Sequence, residues 1–304
     1  MKMQRLLAAL AGFLICGLFV GASAGTAPAQ IPFSLYQGNI VVPVVLGDHP
    51  PLPFVFDSGL SHGNIITTQT AEKLGIKASG KVHLGDASGA GRSGGFTRID
   101  HIRVGSVVLA KQPFAIVKVP SQVVARNGKP PIAGYIGAPL LKNAVVCVDY
   151  ADKTLERWPR AAFKPQAYDK VPARVNHGLV TIYVIVDGLP AVVAIDTGNN
   201  GGVELFPAFV KAHHLLKRYP DMHAMKGASG AGNEFHMLGG TAGVVEFGPH
   251  TAVKNAALMF IAQSFDPAWR INGLVGYRAL SRLDPCIDRA GGHVYFPEAD
   301  AGSK

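Results

Sequence analysis

Short apolar runs that alternate with polar residues dominate the chain and predict strands. Ile31 to Phe56 alternates in this way, with turns at 37–39 and 47–51. Helical periods are few. Thr67 to Gly75 predicts a short helix with a capping threonine and a terminal glycine, and Phe206 to Tyr219 predicts a longer one. The pattern therefore predicts a mostly β protein.

The same order of elements occurs twice, at an offset of 139 residues. Asp57-Ser58-Gly59 returns as Asp196-Thr197-Gly198, and each triplet ends an apolar, strand-like run. Gly137 returns as Gly276, 80 residues after its aspartate in both copies. An internal duplication therefore organises the chain.

A proline-containing segment with little periodicity separates the two copies. Pro159, Pro165 and Pro172 fall in it, and they mark residues 159–172 as a linker. The duplication thus predicts a first lobe at 31–158 and a second lobe at 173–298.

The N-terminus has the pattern of a signal peptide. Lys2 and Arg5 precede an apolar run from Leu6 to Val20, and small residues at 22–24 and 27–29 fit a peptidase site. Residues 1–24 are predicted to be removed, which gives an exported, periplasmic or secreted protein without stable membrane insertion. An uncleaved membrane anchor is the alternative.

Composition excludes several function classes. Apolar residues make up 48% and charged residues 16%, which is typical of a packed globular protein. The net charge of +9 is scattered, without a dense basic run, so no nucleic-acid partner is predicted. His213 and His214 are adjacent on a predicted helix and point apart, and no other metal motif occurs. We predict no metal and no cofactor.

Glycine-rich motifs follow the first triplet. Residues 89–94 fit a dinucleotide fingerprint, and residues 91–95 fit the serine-hydrolase elbow around Ser93. Both motifs require a following helix, whereas an alternating strand follows here. We interpret the segment from Gly85 to Gly95 as a hairpin tip, and hence as a candidate flap over a cleft.

The paired aspartates carry the sharpest chemical signal. A carboxylate at the end of a buried strand is costly to desolvate, and two in equivalent places indicate a paired-carboxylate site. The alternative for Asp57 alone is a turn aspartate after a strand. Asp149 and Asp288 also recur at the offset, and we interpret them as turn or edge aspartates.

In each copy the order is apolar strand, Asp-Ser/Thr-Gly, short helix, glycine-rich hairpin, apolar-apolar-Gly and strand. This order resembles the pepsin and retroviral aspartic proteases, most closely the bacterial exported members with two lobes in one chain. The resemblance covers essentially the whole mature chain. It implies an all-β fold of two pseudo-symmetric, acid-protease-like lobes with the active-site cleft between them. It also implies an aspartic endopeptidase that acts on peptides or proteins; a catalytically silent peptide-binding module is the alternative.

The resemblance assigns roles residue by residue. Asp57 and Asp196 would be the catalytic pair, sharing one proton and activating a water. The hydroxyls of the triplets would bond across to the other lobe, and the glycines would permit tight turns and close approach. The supporting residues are Ser58, Gly59, Thr197, Gly198, Gly137 and Gly276.

Some positions depart from the family pattern. Leu60-Ser61 and Asn199-Asn200 stand where the family usually has a small residue followed by Ser. We expect the Asn199 side chain to donate to a catalytic carboxylate, which Leu60 cannot do.

Oligomeric state and cysteine pairing complete the expectations. Retroviral-type enzymes dimerise because each chain supplies one aspartate; this chain carries both, so a monomer is expected.

In the fold that the resemblance implies, Cys147 and Cys286 lie on strands near the interface of the halves. They are either bridged or two separately buried thiols.

Overall fold

The structure is a computed structural model that describes residues 27–85, 92–228, 234–262 and 267–298. The predicted signal peptide at 1–24 lies outside the described residues. So do the tip of the predicted flap, at 86–91, and its counterpart at 229–233.

Strands account for most of the described chain. In the first half they are β1 (Ala29–Pro32), β2 (Ser34–Tyr36), β3 (Asn39–Leu46), β4 (Leu52–Phe56), β5 (Asn64–Thr67), β6 (Gly80–Leu84), β7 (Arg92–Val104), β8 (Val107–Val117), β9 (Gly134–Ile136), β10 (Ala144–Asp149) and β11 (Thr154–Pro159). In the second half they are β12 (Tyr168–Asn176), β13 (Leu179–Val186), β14 (Leu189–Ile195), β15 (Val203–Leu205), β16 (His223–Ala228), β17 (Glu234–Glu246), β18 (Ala252–Ile261), β19 (Gly273–Val275), β20 (Cys286–Asp288) and β21 (His293–Pro297).

The helices are short. They are α1 (Thr68–Lys73), α2 (Ser121–Val124), α3 (Pro207–Ala212), α4 (Leu215–Arg218) and α5 (Tyr277–Leu280), with 3₁₀ turns at Ala138–Leu141 and Pro267–Trp269. Thr67 caps α1 by accepting a hydrogen bond from the backbone N–H of Thr70, as the sequence predicts. The prediction of one long helix at 206–219 is wrong, because His214 adopts a left-handed conformation and separates α3 from α4.

The two halves repeat one strand order. The first half forms the sheet β2-β3-β4-β9-β5-β8-β7-β6, and the second half forms β12-β13-β14-β19-β15-β18-β17-β16. In both, the strand before the Asp triplet pairs in parallel with the short strand before the downstream glycine, β4 with β9 and β14 with β19. The duplication seen in sequence is therefore also a duplication of topology.

A central set of strands joins the halves in the order β1-β11-β10-β20-β21-β12. At its middle, β10 and β20 pair antiparallel, and Cys147 lies directly opposite Cys286. The two cysteines form a disulfide, which resolves the alternatives left open by the sequence and rules out two free thiols. Buried phenylalanines fill the core of both halves, among them Phe54, Phe114 and Phe247.

The predicted fold class, a mostly β acid-protease-like fold with a few short helices, is confirmed. No helix among the described residues is long and apolar enough to cross a bilayer.

Candidate active site

Both Asp triplets begin where a central strand ends. β4 and β14 each lie inside their sheet, so the residues that follow are held from both sides. The N–H of Asp57 donates to the carbonyl of Ile136 at 2.9 Å, and the N–H of Asp196 donates to that of Val275 at 3.0 Å. The two aspartates are therefore anchored in the same way in the two halves.

The hydroxyls of Ser58 and Thr197 bond reciprocally across the halves. The Ser58 N–H donates to Thr197 Oγ1 at 2.9 Å, and the Thr197 N–H donates to Ser58 Oγ at 3.0 Å. Each hydroxyl also donates to a carbonyl of the opposite half, Ser58 to Ile195 and Thr197 to Phe56, both at 2.9 Å. Both residues are about 1% exposed, so this closed set of four bonds fixes the two loops to each other.

Each triplet glycine lies against the aspartate of the other half. A Cβ added to Gly59 would lie 2.6 Å from Cγ of Asp196, and one added to Gly198 would lie 2.4 Å from Cγ of Asp57. These distances are shorter than any side chain tolerates. Glycine is therefore required at both positions to let the carboxyls meet.

The carboxyls of Asp57 and Asp196 are hydrogen-bonded to each other and enclosed by protein, although both residues keep part of their surface open to solvent. Burial, the charge of Asp196 and the hydrogen bond to its carboxyl raise the pKa of Asp57 well above its usual range. Burial also raises the pKa of Asp196, but hydrogen bonds from the Gly198 N–H and from Asp57 limit the rise. The pKa values of both carboxyls are thus raised, and the two groups titrate as one unit.

The downstream glycines lie close behind the triplet loops. A Cβ on Gly137 would lie 2.4 Å from the carbonyl oxygen of Leu60, and one on Gly276 would lie 2.7 Å from that of Asn199. The Gly137 N–H also donates to Asn64 Oδ1 at 3.2 Å. The structure thus brings together all eight site residues that the sequence predicts.

The expectation for Asn199 is wrong. Its side-chain oxygen accepts a hydrogen bond from the Gly201 N–H at 2.6 Å, and its amide bonds the carboxyl of Glu204. Only its backbone N–H reaches Asp196, to the carbonyl at 3.2 Å and also to the carboxyl. In the other half the Leu60 N–H donates to Asp57 Oδ1 at 3.0 Å, so the backbone supplies the donors on both sides.

Glu204 is a further residue of the site that the sequence pattern did not predict. This residue lies in β15, is 6% exposed, and has its pKa raised to about 7 by burial and by the charge of Asp196, while the Asn199 bond opposes the rise. The register places Ile65 at the same position of the first half. A lone glutamate inside the apolar run 203–206 was the available signal.

Tyr135 is a second neighbour of the pair that the sequence did not single out. Burial and the charge of Asp57 raise its pKa to about 12. Its counterpart in the second half is Leu274 on β19. The surroundings of the two aspartates therefore differ twice, between β9 and β19 and between β5 and β15.

Other sequence signals are structural. Asp149 accepts the N–H of Asp152 at 2.7 Å, and Asp288 accepts that of Gly291 at 2.7 Å, as expected of turn aspartates. Ser93 lies within β7, so the helix that an elbow motif requires does not follow it. No group of three or more His, Cys, Asp or Glu side chains in the described ranges is placed to hold a metal ion.

Comparison with known proteins adds an independent finding. Residues 42–140 match the family model of aspartyl proteases. The first half is similar to an aspartic protease. The match includes Asp57, Ser58, Gly59 and Gly137, and it supports aspartic protease function for the chain in general. A search of curated proteins found no significant match.

Proposed function

We propose that the protein is an aspartic endopeptidase that hydrolyses peptide bonds with a water activated between Asp57 and Asp196. The observation that carries this proposal is the hydrogen-bonded pair of carboxyls, one from each half, that shares a proton. The match of residues 42–140 to aspartyl proteases supports the reaction class.

In the proposed mechanism each carboxyl has its own step. The ionised Asp196 takes a proton from the water as the water attacks the scissile carbonyl carbon. Asp57 donates its proton to the carbonyl oxygen, which becomes a hydroxyl of the tetrahedral intermediate. As that intermediate collapses and its C–N bond breaks, Asp196 gives its proton to the leaving nitrogen, and one hydroxyl of the intermediate returns a proton to Asp57 as the new C=O forms. The reciprocal Ser58 and Thr197 bonds keep both carboxyls in place throughout.

We also propose that the active species is an exported monomer of two lobes. One chain supplies both aspartates, so no second copy is needed to complete the pair. The Cys147–Cys286 disulfide supports export, because such bonds persist in oxidising compartments outside the cytosol.

A peptide-cleavage assay tests this function. The protein from residue 27 onward is incubated with a mixed peptide library at several pH values, and the products are identified by mass spectrometry. Asp57→Asn and Asp196→Asn should each reduce the rate by about a hundredfold or more. The double variant should be no worse than either one, because the carboxyls act as a unit. Asp48→Asn, at an exposed turn, is the matched control and should cleave normally.

Two outcomes would overturn the proposal. Turnover that survives in either single variant would remove the pair from the chemistry. Peptide binding without hydrolysis by the unaltered protein would instead support the catalytically silent module.

A further inference from the structure

Arg126 is a buried arginine beside the candidate active site. It lies between α2 and β9, in the segment 120–132 that also contains α2, and it is 9% exposed. The segment is closed on itself by hydrogen bonds from the Lys129 N–H to the Arg126 carbonyl and from the Ile132 N–H to the Val124 carbonyl, both at 2.8 Å. Arg126 is therefore held in place by its own loop.

Its guanidinium has no anionic partner in the described part of the chain. The ion pair found within 4.0 Å among those residues joins Arg160 to Asp288 and does not involve Arg126. Nε of Arg126 is buried without a hydrogen bond, and the guanidinium carbon lies 5.7 Å from the centre of the Tyr36 ring. Buried charges in proteins are normally paired, because an unpaired charge loses its hydration without compensation. An aromatic ring compensates only part of that loss.

The strand register locates the row of side chains that the loop of Arg126 covers. Val41, Val55 and Tyr135 lie side by side across β3, β4 and β9. Val55 precedes Asp57 by two residues, so this row is on the face toward which Asp57 points. The charge of Asp57 acts on Tyr135, which places the row next to the aspartate pair.

The loop of Arg126 covers that row. Val119, Val124 and Ile132 form one apolar cluster with Val41 and Val55, and both Tyr36 and Tyr135 pack against it. Because Arg126 lies over Tyr36, its guanidinium is at the Asp57 side of the site. The turn after Tyr36 also reaches the second half, where a Cβ on Gly38 would lie 2.8 Å from the Tyr277 ring.

The equivalent place in the second half has different chemistry. By register Asn176 corresponds to Tyr36, and it donates a hydrogen bond to the carbonyl of Trp269. The Trp269 ring stacks on His177 with centroids 4.3 Å apart. An aromatic side chain thus covers the turn there, where the first half has a cation.

We propose that Arg126 binds a carboxylate of the bound peptide, either an Asp or Glu side chain or the peptide C-terminus, on the Asp57 side of the site. The planar guanidinium suits a carboxylate because two parallel N–H donors match its two oxygens. The buried surroundings strengthen such a pair, since little water screens it. This proposal names the substrate class and rests on the proposed function.

Affinity selection tests the site separately from the chemistry. The protein carrying Asp196→Asn is incubated with two synthetic octapeptide libraries, both N-acetylated, one amidated and one with free C-termini. Retained peptides are sequenced by mass spectrometry. The same selection is repeated after Arg126→Met, after Arg126→Lys, and after Arg98→Gln. Arg98 is the matched control because it is exposed and lies 5.9 Å from the Phe96 ring in the same half.

A side-chain carboxylate would appear as Asp or Glu enriched at one fixed position in the amidated library. A terminal carboxylate would appear as retention of the free library alone. Arg126→Met should weaken binding of a selected peptide by at least about tenfold. The same peptide with Gln in place of the acidic residue, or with an amidated C-terminus, should bind equally well before and after Arg126→Met. Arg126→Lys should retain part of the preference and Arg98→Gln all of it.

Failure of the Arg126 site and failure of the proposed endopeptidase activity give different results. Absence of carboxylate enrichment in both libraries would overturn this site, whether or not the unaltered protein hydrolyses peptides. Enrichment that disappears with Arg126→Met, together with no hydrolysis by the unaltered protein, would support the site and overturn the endopeptidase. If Arg126→Met does not fold, a Glu-for-Gln preference unchanged in Arg126→Lys would count against the proposal.

Discussion

The carboxyl of Glu204 is hydrogen-bonded to the side chain of Asn199, three residues after Asp196. The partners of Glu204 on the flanking strands, Met259 and Leu274, are apolar. The only charged group that acts on it among the described residues is Asp196. One candidate catalytic carboxylate is thus backed by a second, buried carboxyl, whereas Ile65 occupies this position behind Asp57.

Glu204 should make stability depend on pH. Its pKa in the folded protein is about 7, above the ordinary 4.5 that applies in the unfolded chain. As pH rises through this window the unfolded chain ionises first, so stability falls until it levels off above 7. Relative to Glu204→Gln, the native protein should lose on the order of 3 kcal/mol between pH 4 and 8. Urea unfolding at both pH values measures this, with the exposed Glu72→Gln as the control. Equal pH dependence in all three proteins would contradict it.

The rate of peptide hydrolysis should be bell-shaped in pH and highest below neutrality. The proposed mechanism requires Asp196 to be ionised and Asp57 to be protonated, and the pKa values of both are raised from 3.8. The acidic limb should therefore lie above that value, and the alkaline limb should follow loss of the Asp57 proton. Values of kcat/KM across pH 3 to 9 measure the profile. A rate that keeps rising into alkaline pH and disappears with Ser93→Ala would instead indicate a serine nucleophile.

Thr197→Val should destabilise the protein more than its small change in shape suggests. The variant leaves the Ser58 N–H and the Phe56 carbonyl buried without partners. Each such group costs about 1–3 kcal/mol, so a loss of about 2–6 kcal/mol in unfolding free energy is expected for the two. Thr197→Ser keeps the hydroxyl and is the matched control. Equal losses in the two variants would contradict the prediction, because they would mean that the hydroxyl contributes no more than the methyl group.

Gly198→Ala should abolish turnover while Gly80→Ala leaves it unchanged. A Cβ at Gly198 would lie 2.4 Å from Cγ of Asp57, whereas at Gly80 the nearest atom is the Phe96 Cβ at 4.0 Å. Displacing Asp57 breaks the contact of the two carboxyls and with it the sharing of the proton. Initial rates on one peptide identified from the library decide this. Normal activity of Gly198→Ala would mean that the pair need not be in contact.

The disulfide should raise stability substantially. Titration of the denatured, unreduced protein from residue 27 onward should find no free thiol, and titration after reduction should find two. The bond closes a span of 139 residues, for which the chain-entropy model gives about 4–5 kcal/mol. Replacing Cys147 and Cys286 with Ser should lower the unfolding free energy by a comparable amount. Two thiols before reduction would contradict the bridge.

The sequence predicted those parts of the site that depend on local order. Each Asp triplet ends an apolar strand, and the glycines recur at the same distance, so Asp57, Asp196 and their supports were visible as a pattern. The fold class followed from the same repeated order.

Features set by distant neighbours were not predictable. Glu204 is buried because β18 and β19 enclose it, and those strands are far from it in sequence. Asn199 was expected to donate to a catalytic carboxylate, but its side chain bonds Glu204 and the Gly201 N–H. The cysteine bridge depends on β10 and β20 being direct neighbours, which periodicity within each strand does not reveal.

The repetition of one strand order within a single chain has a consequence for how such a site can diverge. In a dimer of identical subunits, every substitution is made on both sides of the symmetry axis. Here separate codons encode the two sides. Glu204 therefore has Ile65 as its counterpart in the other half, and the loop of Arg126 has as its counterpart a loop that carries Trp269. One substitution therefore alters the surroundings of one aspartate of the pair and leaves those of the other as they were.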